Sequence, residues 1–126
     1  MIDNILFDSK AEGMYYLYLK DLEKDGCIRD LTLQQKFLIH PRFQFVDPVK
    51  RGKKRYKKSI LAATYYIPDF TFTVRMPFSL IAGPVNLILN PGEQVVVDVK
   101  GMRTALYRLK RKMFLRQYPE LVFIES

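Results

Sequence analysis

Gln94-Val95-Val96-Val97-Asp98-Val99-Lys100-Gly101 decides how the rest of the chain is read. Four valines in six residues favour an extended strand, because β-branched side chains pack well on a pleated surface. Alternate residues of a strand share a face, so Asp98 and Lys100 emerge side by side while Val97 and Val99 point to the opposite layer. A buried acid needs a partner, so an acid in so apolar a strand implies a second charged or hydrogen-bonding group close by.

After this strand, the sequence predicts a helix over 103–117, with Leu106, Leu109 and Met113 facing inward. Pro119 stops it, and 121–125 reads as a short final strand. Before the strand, 76–93 holds Pro77, Gly83-Pro84 and Pro91-Gly92, punctuation that fits an inserted hairpin around 85–89. Phe70 to Val74 and 59–67 are rich in aromatic and β-branched residues and read as strands, with Pro68 between them. From Ile28 the pattern alternates, placing Leu31, Leu33, Phe37 and Ile39 on one parity until Pro41, which reads as one strand. Ser9-Lys10-Ala11-Glu12 forms a capping box, opening a helix over 10–25. Gly26 is placed as the left-handed residue beyond its end. The expected order is α, several β, α, β in a single domain, an α/β fold of the α+β mixed-sheet kind.

The chain has 126 residues, 21 Lys and Arg against 13 Asp and Glu, and a net charge of +8. Seven of the nine residues at 50–58 are basic, a density that resists packing and reads as a solvated loop or hairpin tip. Such charge points to a polyanionic partner, nucleic acid first, because clustered cations gain by releasing counterions from phosphates. A single cysteine, Cys27, forbids an internal disulfide, and with His40 as the sole histidine a two-Cys, two-His zinc site is impossible. Serine or cysteine hydrolase chemistry would rest on that one imidazole without a supporting signature. Met1-Ile2-Asp3-Asn4 lacks a basic signal region, and the longest apolar stretch, 78–89, is broken by Gly83-Pro84. A cytoplasmic protein without membrane association is expected.

Asp69, following Pro68, leaves the strand region nearest to Asp98 in type. Two such carboxylates can bind Mg²⁺ through oxygen ligands, and Lys100 beside them can orient an attacking water and balance charge on a phosphorane. Glu12, on the first helix, is the third candidate acid. Each residue also has a plain structural account. Glu12 completes a helix cap, Asp69 starts a turn, and Asp98 with Lys100 forms a strand ion pair.

These residues lie within a longer series: Phe7-Asp8-Ser9-Lys10 with Glu12; Leu33-Gln34 with Lys36-Phe37; Tyr66 with Asp69-Phe70; Asp98-Val99-Lys100-Gly101; Leu109-Lys110 with Lys112 and Phe114; and Tyr118-Pro119. In that series the chain resembles the PD-(D/E)XK nucleases, and within them small phage and prophage enzymes similar to Holliday-junction resolvases. The resemblance covers nearly the whole chain. It implies a restriction-endonuclease-like αβββαβ core with an inserted hairpin. It also implies a Mg²⁺-dependent endodeoxyribonuclease, able to use Mn²⁺, that hydrolyses phosphodiesters in branched DNA. Glu12, Asp69 and Asp98 would be the metal ligands and Lys100 the catalytic cation. Gln34 and Lys36 would touch DNA. Lys50, Arg51, Lys53, Lys54, Arg55, Lys57 and Lys58, with Arg103, Arg108, Lys110, Arg111 and Lys112, would hold phosphates without reading sequence. A homodimer would place two sites on symmetric strands of a junction, in a bacterial host cell if the chain is phage-encoded. The reading from another class is a non-catalytic basic nucleic-acid-binding module of a phage replication or packaging complex.

Overall fold

The computed structural model describes residues 1–48, 56–99 and 103–126. In chain order it contains α1 (Lys10–Lys24), β1 (Ile28–Leu33), β2 (Phe37–His40), β3 (Phe43–Pro48), β4 (Tyr56–Leu61) and β5 (Thr64–Tyr66). These are followed by β6 (Phe70–Val74), β7 (Phe78–Ala82), β8 (Val85–Leu89), β9 (Gln94–Asp98), α2 (Ala105–Gln117) and β10 (Val122–Glu125).

Local chemistry accounts for the helix ends. The Ser9 hydroxyl accepts from the Glu12 N–H at 3.1 Å, opening α1, and Gly26 beyond its end sits at φ +78°. Thr104 caps α2 in the same way, accepting from the Tyr107 N–H at 3.1 Å. Among the described residues no helix is long and apolar enough to cross a membrane.

The central sheet has the order β1-β6-β9-β10. Its first three strands are antiparallel neighbours, whereas β10 runs parallel to β9 after the α2 crossover. The sheet is therefore mixed, and the elements that build it follow the chain order α1, β1, β6, β9, α2, β10. The period-two alternation of β9 divides two cores. Val95 and Val97 join Tyr16 and Leu19 of α1, Phe70, Phe72 and Val74 of β6, and Leu80 and Leu89 of the β7–β8 hairpin. Val96 points the other way, into Phe37, Ile39, Tyr66, Tyr107 and Phe114 beneath α2.

Three expectations change. The single strand from Ile28 is two strands in different sheets, because Gln34 takes a left-handed backbone, φ +52°, and turns the chain out of the central sheet after Leu33. Likewise 59–67 breaks at 62–63, its first part pairing with β3 and its second with β2. In α2 the buried residues are Tyr107 and Phe114, whereas Leu106 and Leu109 are exposed. The helix rests on β2 and β5, whose rings offer aromatic partners: Tyr66 and Phe37 lie 4.9 and 5.1 Å from Phe114. Met113 is half-buried against this cluster, as expected. The inserted hairpin is present as β7–β8, turning at Gly83, φ +59°, and Pro84.

Candidate active site

Four strands deliver polar residues to one end of the central sheet. The Gln34 N–H, just beyond β1, donates to the Asp69 carbonyl at 3.1 Å. Phe70 pairs with Val97, which sets Asp69 beside Asp98 at the end of β9. Glu125 of β10 pairs in turn with Asp98. Asp69 precedes β6 by one residue, so its position follows from the same register that buries Phe70.

Asp98 is fully buried, and it shares the face of β9 that carries Val96. The Tyr66 hydroxyl donates a short hydrogen bond to Asp98 Oδ2. The Asp69 carboxylate accepts from the Val99 N–H at 2.7 Å, and the Asp98 carboxyl group lies close enough to act on its titration. Burial pushes the Asp69 pKa up to about 7, aided by Asp98 and by the negative charge of Glu12, against the lowering effect of the Val99 N–H. A carboxyl group raised this far keeps its proton well above the usual carboxylate range.

Glu12 lies in the first turn of α1, 7% exposed, close enough to Asp69 to act on its titration. It lines a cavity of about 300 Å³ with Ile5, Leu6, Phe7, Leu33 and Gln34. Thus Glu12, Asp69 and Asp98 come from three separated elements into one neighbourhood. Among the described residues they do not form a closed chelating cluster: Asp69 and Asp98 are in contact, and Glu12 stands at electrostatic range. Lys100 lies outside the described residues.

Behind the acids runs a polar chain absent from the sequence reading as site chemistry. Tyr66 bonds Asp98 and, through its hydroxyl, Tyr107. Tyr107 donates to Glu125 Oε2 at 2.5 Å, and Glu125 also accepts from Arg103 at 2.5 Å and Arg111 at 2.8 Å. Burial and the acceptor Asp98 raise the Tyr66 pKa far above the usual phenol range, so it stays a donor. Burial raises the Glu125 carboxyl, but its three donors outweigh that and hold its pKa below normal. The available signal was the Tyr66-to-Asp69 spacing in the motif series. Nothing in the sequence marked Glu125.

The expected DNA contacts scatter around this core. Gln34 and Lys36 are exposed near the sheet end, and the Lys36 ammonium lies 5.8 Å from the Tyr65 ring centroid. Arg103 and Arg111 spend part of their charge on Glu125, whereas Arg108 and Lys112 are exposed and Lys110 is half-buried. Lys57 and Lys58 are exposed on β4; Lys50, Arg51, Lys53, Lys54 and Arg55 lie outside the described residues.

The family described as "Protein of unknown function (DUF1064)" matches residues 1–125, and the chain belongs to it. No curated protein and no solved structure matches the chain.

Proposed function

We propose that this member of the DUF1064 family is a divalent-metal-dependent endonuclease cutting branched DNA, built on a restriction-endonuclease-like core of the PD-(D/E)XK kind. The observation that carries the reading is the Asp69–Asp98 carboxyl pair at one sheet end, with Glu12 in electrostatic reach from α1. Acids held together against their repulsion suit a hard cation. The donor set is all oxygen, and Mg²⁺ keeps several waters, so two direct carboxylates with Glu12 reaching through water fit it.

Asp69 and Asp98 would hold the metal, and Glu12 would complete the site. When bound, Mg²⁺ supplies Lewis acidity to a phosphoryl oxygen and lowers the pKa of a coordinated water. The chain's own residues do the rest. Tyr66 and the Val99 N–H fix the two aspartates in orientation. The proton that burial favours on Asp69 would have to be given up for its carboxylate to serve as a ligand. Lys100, two residues beyond Asp98, would orient the attacking water and offset charge on the phosphorane. Basic residues of α2 and of 50–58 would hold phosphates. Homodimerisation across a symmetric junction and a cytoplasmic setting belong to the same proposal.

Purified protein incubated with junction, flap, duplex and single-stranded DNA tests it. Nicking of branched DNA that needs Mg²⁺ and stops with EDTA is expected. A protein that binds all four substrates yet nicks none would instead be the non-catalytic binding module, a reading favoured by the concentration of charge in one segment, 43–61.

A further inference from the structure

Strands β3 and β4 form a two-stranded ribbon of six residues a side, and among the described residues they pack chiefly on each other. An isolated ribbon is marginal in water, so one with apolar side chains left outward needs an occupant. The register sorts its faces. Phe43, Phe45 and Asp47 stand opposite Leu61, Ser59 and Lys57, whereas Gln44 and Val46 stand opposite Ile60 and Lys58. On the first face Phe43 stacks near His40 and Phe45, ring centroids 5.2 and 6.2 Å apart, and Ser59 donates to the Asp47 carboxylate at 3.3 Å. That carboxylate repels phosphate. The second face has no acid among its described residues, and its apolar members Val46 and Ile60 are exposed, at 62% and 49%.

Charge selects the occupant. Residues 43–61 hold seven of the chain's 21 basic residues and one of its 13 acids, hence six of its eight net positive charges. A second copy laid face to face would bring two such segments together, at an electrostatic cost; a polyanion gains by the same charge. Size agrees. Six residues at about 3.4 Å each span about 20 Å, and the major groove of B-form DNA admits a two-stranded ribbon. We propose that the β3–β4 ribbon enters the major groove of a duplex DNA arm, with Gln44, Val46, Lys58 and Ile60 toward the base edges. Gln44 can offer its amide to adenine, and Val46 and Ile60 can meet thymine methyl groups. The inference rests on the nucleic-acid part of the proposed function and does not depend on cleavage.

The test is dimethyl sulfate protection of guanine N7, a major-groove atom, on a duplex of about three turns in EDTA. The wild-type chain should shield one stretch of N7 atoms. The combined variant Gln44→Ala, Val46→Thr, Ile60→Thr keeps charge and β-branching. It should lose that protection and about tenfold or more in affinity, with an unchanged melting temperature. Bound wild type that leaves every N7 reactive overturns the proposal. So does a variant with wild-type affinity and protection, or one that dissociates a dimer while binding DNA normally. Protection without any Mg²⁺-dependent nicking would sink the endonuclease and leave the ribbon standing; nicking without protection would do the reverse.

Discussion

Asp98 is where burial and chemistry meet. A fully buried carboxylate is retained against a large desolvation cost only with hydrogen-bonding partners, and Tyr66 is one of them. Asp98→Asn keeps the volume and removes the charge, so Mg²⁺-dependent nicking should vanish while DNA affinity in EDTA stays at the wild-type level. Tyr66→Phe removes only the hydroxyl. It leaves a buried acceptor short of one donor, at about 1–3 kcal/mol of stability, and should cost about 10–100-fold in nicking or metal affinity. A shifted Mg²⁺ dependence of nicking separates this positioning role from simple destabilisation. Asp69 gives a pH signature. Its folded pKa of about 7 lies above the ordinary 3.8, so the folded state binds that proton more tightly. Its contribution is complete below about pH 4 and is lost as pH rises through about 7. Melting of the metal-free protein should therefore decline between about pH 4 and about pH 7, and Asp69→Asn should flatten the decline. Added Mg²⁺ should raise the melting temperature more at the higher pH, since it competes with the proton. Equal pH slopes for the wild type and Asp69→Asn would show that Asp69 is ionised throughout.

At the scale of elements, α1 carries both a cap and a candidate ligand in one turn. Ser9 performs its half of the capping box, and the carboxylate of Glu12 acts on Asp69. Glu12→Gln preserves a capping residue, so the melting temperature should barely move. The same change removes a charge beside the aspartates and should depress nicking by about a hundredfold or more; unaltered specific activity would leave Glu12 a cap alone. At Gly13 beside it a Cβ would meet Ile2 Cδ1 at 3.2 Å, so the Ile2 side chain would have to give by a few tenths of an ångström to admit one. At the same end of the sheet, Tyr107 and Arg111 of α2, with Arg103 just before it, fasten the helix to β10 through Glu125. Glu125→Ala strands these donors and should cost about 1–3 kcal/mol by chemical denaturation. The sequence made some of this legible. Both helices, the β7–β8 hairpin and the two-sided parity of β9 were readable because caps, Gly-Pro punctuation and alternation are local. The turn at Gln34 was not, because a left-handed residue other than glycine has no reliable sequence mark. Nor was the buried face of α2. Leucine periodicity pointed to Leu106 and Leu109, but the aromatic surface of β2 and β5 selected Tyr107 and Phe114. Tyr66 and Glu125 escaped notice as site residues because their partners are distant in sequence, 32 residues away for the Tyr66–Asp98 bond.

Across the whole molecule, the three candidate acids and the densest run of positive charge fall in different segments. The acids Glu12, Asp69 and Asp98 gather at the sheet end, while 43–61 carries most of the net positive charge on a ribbon that leaves the body between β2 and β5. β5 also supplies Tyr66, so the segment expected to grip the backbone is joined by a few residues to the group that orients Asp98. Such separation has a consequence for salt. A polyanion held mainly by the ribbon releases counterions in proportion to the phosphates neutralised there, so log K falls with log salt at a slope of about −0.9 per contact on duplex DNA. Neutralising Lys53, Lys54, Arg55 and Lys57 to Gln removes up to four such contacts. Affinity for every DNA substrate should fall together, because phosphate contacts carry no sequence information. The slope should flatten by about one unit for each lysine or arginine engaged. Fold stability should hold, since Lys57 is exposed and no described residue of the ribbon belongs to either buried cluster. Titrations at several salt concentrations in EDTA read the slope without interference from cleavage. A variant with weakened binding but the parental slope would place the phosphate contacts on α2, at Arg108 and Lys112. One with both unchanged would make the basic run a bystander, and the groove-bound ribbon would lose the charge argument on which its choice of partner depends.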